Sequence, residues 1–334
     1  MKGLRIALAL NLSIFLLLAG LLKEPASHTE TEFIMDTMIS VTAYGKNAKA
    51  AVQKAFVRIR EIDKAFDVFD EESELYALNK APAQIPIQVS TELYNLLTKA
   101  LAFGTLTEGS FDATLLPVSQ LWNFNSADAR VPEPASIQEA LQKTGSNQLL
   151  SDAENRSVTK LKEGIMLDFG GIAKGYAAEE AIKVLKQAGI KHAYLDLGGN
   201  IAVFGGKPLA PLKRLLQGQK SRPFVIGIQT PDAVRGDIIE TVRLADGFVV
   251  TSGDYERYFT ADGKRYHHIL DPKTGYPAES GLKSVTVISQ SGTEADILAT
   301  ALYVGGTELY EAVASFCDTA IFIDENLTVT TLTN

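Results

Sequence analysis

Three short runs between positions 251 and 300 hold most of the chain's chemically competent groups. They are Thr251-Ser252-Gly253-Asp254-Tyr255, His267-His268-Ile269-Leu270-Asp271-Pro272-Lys273-Thr274-Gly275 and Asp296-Ile297-Leu298-Ala299-Thr300. Adjacent histidines, an Asp-Pro turn and a Thr-Gly pair between strand-like runs cost free energy to bury and serve no core, so the segment reads as an active-site region. Asp296 and Thr300 stand four apart, hence on one helix face, and could offer a carboxylate and a hydroxyl oxygen to one hard cation. Magnesium suits such a set because it takes few protein oxygens and leaves positions for substrate phosphates. The competing reading is purely structural: a helix opening at Thr293 would make Asp296 an acidic N3 capping residue, with Gly305-Gly306 as the exit. On these residues alone the capping reading is the simpler one.

A second constellation runs from Asp168 to Asn200. An apolar strand is expected over Ile165–Phe169, a Gly170-Gly171 break, an amphipathic helix over Ile172–Ala188 ended by Gly189, and a strand over His192–Leu197 leading to Gly198-Gly199-Asn200. A Gly-Gly turn feeding a helix amino terminus leaves N–H groups free and admits a phosphate without a Cβ clash. Such glycines serve equally as plain turn and cap residues, and both readings stay open. Asp168-Phe169-Gly170 mimics a kinase metal motif, but no kinase catalytic loop accompanies it.

These groups need a framework, and the chain can supply one. With 334 residues and 46% apolar content it can fill a sizeable core. A strand is expected over Phe33–Tyr44, with Ile39, Val41 and Ala43 on one face, in a body starting near Glu32. Core-facing helices follow over Ala48–Phe66 and Ser90–Thr107. The pattern indicates an α+β fold. A net charge of −8 and a sequence pI near 5.2 argue against nucleic acid as a partner. The single cysteine, Cys317, lies in an apolar stretch and reads as an inert core thiol.

Lys2 and Arg5 precede an apolar run from Ile6 to Leu22 that ends at Lys23-Glu24-Pro25. Residues 1–25 therefore read as an export signal or a membrane anchor, since a span needs roughly 20 apolar residues. No cysteine lies near the end of the run, which excludes bacterial-type lipid attachment there. The body is expected outside the cytoplasm, on the periplasmic or cell-surface side. Gly205–Pro223 carries Lys207, Lys213, Arg214, Lys220 and Arg222 with no acidic residue. Such a run is usually a solvated loop, contact with anionic lipid or an acidic partner being the lesser alternative.

The motifs also occur together in a known order. Asp168-Phe169-Gly170-Gly171-Ile172-Ala173-Lys174-Gly175-Tyr176-Ala177, Leu197-Gly198-Gly199-Asn200, the Thr251 run, His268 to Gly275 and Ala295 to Thr300 resemble the ordered motifs of the ApbE family, the FAD:protein FMN transferases. Met35-Asp36-Thr37, Ser73-Glu74-Leu75 with Leu78-Asn79, and Gly109-Ser110-Phe111-Asp112-Ala113-Thr114 are similar to its earlier features, with Asp36 in place of the usual glycine.

The resemblance implies a single T-fold-related α+β domain over residues 32–334. It also implies FAD as substrate, Mg2+ as cofactor, and joining of FMN by a phosphoester to a Ser or Thr of another protein. Carried over by position, the metal falls on the Gly171 carbonyl, Asp296 and Thr300. FAD contacts fall on Met35, Ser110, Phe111, Asp112, Asp168, Lys174 and Leu270, and Phe69 stands where many members stack a Tyr on the flavin. His268, with a reference pKa of about 6.5, would take the proton of the incoming hydroxyl, and His267 has a solvated or core role as its default. The implied acceptor is a Ser/Thr-Gly-Ala/Ser-Thr/Ser type segment in membrane-associated electron-transfer subunits. Two other functions use the same pocket: an FAD-binding protein without turnover, and a metal-dependent FAD pyrophosphatase.

Overall fold

A computed structural model describes residues 20–334 apart from Asn125, Ala127 and Arg235. The apolar run from Ile6 to Leu22 lies almost wholly outside the described residues. Among those described, no helix is long and apolar enough to cross a membrane.

The framework is one antiparallel sheet of eight strands. Along the sheet they are β1 (Ser27–Ile34), β2 (Thr37–Tyr44), β3 (Ala193–Leu197), β4 (Asn200–Phe204), β5 (Gly247–Gly253), then, beyond a separate β6–β7 hairpin (Tyr258–Ala261, Lys264–His267), β8 (Leu282–Ser289), β9 (Thr319–Asp324) and β10 (Val329–Thr333). Alternation decides both faces. Ile39, Val41, Val250, Val285, Val287, Ala320 and Phe322 point into the main core, while Ile201, Val203, Val249, Ile288, Ile321 and Ile323 point the other way. That second face is covered by a hairpin bearing Phe224, Ile226, Ile228 and Val242.

The main core is closed by α1 (Ala48–Phe66), α2 (Thr91–Leu106), α3 (Ala173–Gln187) and, after a short helix α4 (Pro211–Gln217), by α5 (Gly292–Gly305). The apolar spacing of α1 buries Val52, Phe56, Ile59, Ile62 and Phe66, as its period requires. Ser90 caps α2 by accepting the Leu93 N–H. Arg58 on α1 bonds Glu180 on α3 at 3.0 Å and also Glu92 on α2, and Glu92 accepts from the Tyr176 hydroxyl. Three helices are thereby tied around one half-buried guanidinium.

Three expectations need correction. The strand expected over Phe33–Tyr44 is a hairpin, and the body begins at Ser27. Ile34 pairs with Thr37, leaving Met35 and Asp36 as a two-residue turn with φ of 54° and 57°. Both lie in the left-handed region, where glycine or asparagine is the usual choice, so the turn is strained. Ile165–Phe169 is no strand. It is extended, with Ile165, Leu167 and Phe169 buried, but its backbone pairing is limited to one bridge between Met166 and Leu115, with the Asp168 N–H on the Ala113 carbonyl (2.8 Å), and a side chain serves Leu167: Asn79 donates to the Leu167 carbonyl (2.9 Å) and accepts its N–H (2.7 Å). Finally, the basic stretch expected as a solvated loop carries α4 between two short paired segments.

The sheet has two distinct ends. Thr37, Leu197, Asn200, Gly253 and Leu282 lie at one; Ser27, Tyr44, Ala193, Phe204, Gly247 and Ser289 lie at the other. The candidate site groups at the first.

Candidate active site

The segment pinned by Asn79 delivers Asp168 to the amino end of α3. Its Oδ1 accepts the Gly170 N–H at 2.8 Å, and Lys174, the second residue of the helix, donates to the Gly170 carbonyl at 3.2 Å. Burial pushes the Asp168 carboxyl up, while the Gly170 N–H and the nearby Lys174 and Arg257 charges oppose that. Helix α5 crosses close by, because glycines let it. A Cβ on Gly175 would stand 2.1 Å from the Gly292 carbonyl oxygen, so only glycine permits this approach.

The crossing decides the role of Asp296. The N-cap of α5 is Ser291, not Thr293: its Oγ accepts the Glu294 N–H at 3.2 Å, and Glu179 accepts from both Ser291 Oγ and the Thr293 N–H. Asp296 therefore lies beyond the capping turn, and the N3 reading falls. Its side chain, only 4% exposed, instead accepts the Gly175 N–H at 2.8 Å through Oδ2. Thr300 Oγ1 is 3.2 Å from Ser252 Oγ at the end of β5. A Cβ on Gly171 would meet Thr300 Oγ1 at 3.6 Å and the Phe111 ring at 3.2 Å, so Gly171, Thr300 and Phe111 converge. Gly171, in the turn that leads into α3, thus lies against Thr300, which shares a face of α5 with Asp296. No group of three His, Cys, Asp or Glu capable of holding a metal occurs among the described residues. A single carboxylate with neutral oxygens suits a hard cation that relies on substrate to complete its shell, and does not suit a closed structural site.

His268 follows directly on β7. Its backbone N–H donates to the Arg257 carbonyl at 3.0 Å, and Nδ1 lies 3.2 Å from the same oxygen. That pairing places the ring proton on Nδ1 and leaves the Nε2 lone pair available. The expectation of a pKa near 6.5 is overturned. Burial first, then the Arg257 charge, pull the imidazole down to about 3, so the ring is neutral across the physiological range. In consequence, on acidification the unfolded chain binds the His268 proton before the folded one does. The associated stability is fully present above pH 6.5 and drains away as pH falls toward 3. Between pH 7 and pH 4.5 the parent should lose more stability than His268→Ala, read as the shift in urea midpoint. Equal shifts would contradict the depressed value.

His267 is a core residue. It is buried, edge-on to Tyr303 at 5.5 Å between centroids, with Nε2 3.2 Å from the Ala278 carbonyl. Arg257 is the group the sequence reading missed. It is half-buried, it perturbs both Asp168 and His268, and it makes no ion pair among the described residues. The only signal was its place two residues after the Thr251–Tyr255 run.

Met35 and Phe69 form a neighbouring group. Asp63, near the end of α1, accepts the Met35 N–H and feels the charges of Asp36 and Asp67. Phe69, two residues beyond, is 71% exposed, and the loop that carries it starts from Phe66, whose ring packs on Phe169 and Tyr176. Asp112 has an internal commitment: Oδ1 accepts from the Thr114 N–H (2.8 Å) and hydroxyl (2.6 Å), shaping the turn that presents Phe111. Ser110 is buried against the far end of α5, since a Cβ on Gly305 would lie 3.0 Å from its hydroxyl. Nine residues at about 1.5 Å each separate that level of the helix from Asp296. Leu270 is buried with Val118, Trp122 and Ile137 beneath the Asp271 turn, where Trp122 Nε1 donates to the Gly275 carbonyl at 2.9 Å. Cys317 is a buried free thiol pushed up to about 11, as an inert cysteine should be.

Comparison with known proteins bears on this arrangement. The ApbE family model matches residues 35–322. The FAD:protein FMN transferase of Treponema pallidum is 34% identical over 294 residues, 84% of this chain and 79% of the relative. That of Klebsiella pneumoniae is 32% identical over 275 residues, 82% and 81%. Among solved structures, the ApbE protein of Thermotoga maritima superposes with a TM-score of 0.81 at 33% identity, covering 91% of this chain and 96% of that one. The flavinyl transferase ApbE of Pseudomonas stutzeri does so at 0.78 and 29%, covering 94% and 96%.

Proposed function

The chain belongs to the ApbE family, and on that premise we propose that it transfers FMN from FAD to a Ser or Thr hydroxyl of a target flavoprotein, releasing AMP. One juxtaposition supports the reading: Gly171 packs against Thr300, one turn of α5 from Asp296, near the sheet end that also presents His268, Lys174 and Arg257. Such a place can hold a pyrophosphate and bring a hydroxyl to it.

In the proposed reaction the acceptor oxygen bonds to the phosphorus of the FMN half, the bond from that phosphorus to the bridging oxygen breaks, and AMP departs with that oxygen. The hydroxyl proton goes to His268 Nε2. A base held near pKa 3 is weak, so the proton would pass to it only as the acceptor oxygen bonds to phosphorus and loses its own affinity for the proton. Lys174 and Arg257 would meet the phosphate oxygens, and the exposed Phe69 ring would lie against the isoalloxazine. Gly171, Asp296 and Thr300 would hold Mg2+, which supplies Lewis-acid stabilisation of charge on the pyrophosphate.

We also infer that residues 1–25 export or anchor the chain, so that enzyme and acceptor, a membrane-associated electron-transfer subunit, meet outside the cytoplasm. The functional test is incubation with FAD, Mg2+ and an acceptor domain carrying the Ser/Thr-Gly-Ala/Ser-Thr/Ser type segment, followed by denaturing electrophoresis. Flavin fluorescence should travel with the acceptor and vanish when its hydroxyl residue is changed to Ala. Fluorescence that stays with this chain alone would favour a binding protein.

Arg257→Ala should weaken FAD binding roughly tenfold or more, the loss of one charge-assisted contact of about 1.5–3 kcal/mol, and leave riboflavin binding unchanged. Fluorescence titration with both ligands checks this. An equal loss for riboflavin would remove Arg257 from the phosphates.

A further inference from the structure

At the sheet end opposite the candidate site, residues 205–223 build a projection. Lys207 pairs with Arg222 and Pro208 with Ser221 as its stem, and α4 is its tip. The tip is locally stabilised, since Arg214 Nε donates to the Leu209 carbonyl at 2.6 Å and Gly218 closes the helix in the left-handed conformation. It buries nothing. No residue of α4 is in a core, and Leu215 and Leu216 are 79% and 75% exposed.

A solvent-facing helix does not ordinarily present two adjacent leucines to water. Here they are set among Lys207, Lys213, Arg214, Lys220 and Arg222, with no acidic residue between 205 and 223. Apolar side chains ringed by cations match the boundary between anionic headgroups and acyl chains. Glu24, two residues past the end of the Ile6–Leu22 run, lies 3.6 Å from Lys213 Nζ. The chain then enters the sheet at once, the Gly45 N–H bonding the Ala26 carbonyl at 2.8 Å. A sequence of bilayer-like composition and a basic, leucine-tipped helix therefore emerge side by side.

We propose that the 205–223 projection is a foot that rests on an anionic membrane. Leu215 and Leu216 enter the headgroup boundary and the five cations lie at lipid phosphates. A folded acidic protein would satisfy the cations but leaves unexplained why the leucines lie beside the exit of the apolar run. The foot also orients the body. The eight residues of β1 run from its end of the sheet to the other, so the candidate site would face away from the bilayer at roughly 25 Å, at about 3.3 Å per residue.

The test uses the full chain reconstituted into vesicles, carrying Leu216→Cys labelled with a polarity-sensitive fluorophore. Cys317 is buried and stays unlabelled. In phosphatidylcholine vesicles containing phosphatidylglycerol, emission should shift to the blue and be quenched several-fold by a spin label on the lipid. Added Lys213→Glu and Arg214→Glu should abolish both effects. A label at Met38→Cys, at the site end of the sheet, should remain water-like throughout. Water-like emission from position 216 on the anionic vesicles would overturn the proposal, as would quenching that survives the charge reversals. A blue shift with soluble polyglutamate and none on vesicles would overturn it in favour of an acidic protein partner.

Discussion

Asp296→Asn should reduce magnesium-dependent FMN transfer roughly a hundredfold or more, since several kcal/mol of charge stabilisation are at stake and 1.36 kcal/mol is tenfold. It should leave the melting temperature within a few degrees of the parent. The asparagine oxygen can still accept the Gly175 N–H that Asp296 Oδ2 holds at 2.8 Å, so the α3–α5 contact survives while the charge is lost. Asp296→Ala separates the two roles further. It orphans the buried Gly175 N–H as well, at a cost of about 1–3 kcal/mol, and should be both inactive and measurably less stable. Raising Mg2+ should partly restore Asp296→Asn if the loss is one of metal affinity. An Asn variant with full activity would show that Asp296 only joins two helices.

His268→Ala should slow transfer by roughly 10²–10⁴, the usual span for removing a positioned general base, while FAD affinity stays within about threefold. The ring's Nδ1 is engaged by the Arg257 carbonyl at 3.2 Å, so Nε2 is its only free nitrogen, and the proton of the acceptor is its natural target. Because the free-enzyme value lies near 3, the parent's kcat/KM should show no His268 break near pH 6.5. A parallel collapse of FAD affinity in the variant would make His268 a binding residue instead.

Much of this was legible in the sequence where a period or a motif reports directly on structure. The 3.6-residue pattern gave α1 and α2 to within a residue or so, and the alternation of Ile39, Val41 and Ala43 gave the buried face of β2. What failed did so for physical reasons. Ile165–Phe169 has a strand's alternation, but it makes only one bridge, to Leu115, and Leu167 is served by the Asn79 side chain, eighty-eight positions away, which no local pattern announces. The Met35-Asp36 turn was hidden because Met35 is not a usual left-handed turn former and no glycine follows it. Thr293 looked like a cap because Ser291, the true one, sits ahead of a glycine, Gly292, where a Cβ would run into the Phe248 ring and the Gly175 carbonyl. Asp296 and Thr300 were found from their spacing; that Gly171 stands beside Thr300 is a tertiary fact. Arg257 and the depressed His268 value both come from burial at one sheet end, which spacing does not encode.

The central claim is that FMN leaves FAD for a protein hydroxyl. It is tested most directly by intact-mass spectrometry of an acceptor domain after reaction with the purified full-length protein, FAD and Mg2+, with AMP counted in the same tube. The account predicts one FMN phosphoester per acceptor, on the final Ser or Thr of the segment, with one AMP released per adduct formed. FMN and AMP accumulating together in solution, with no adduct on any acceptor supplied, would contradict it and make the protein an FAD pyrophosphatase.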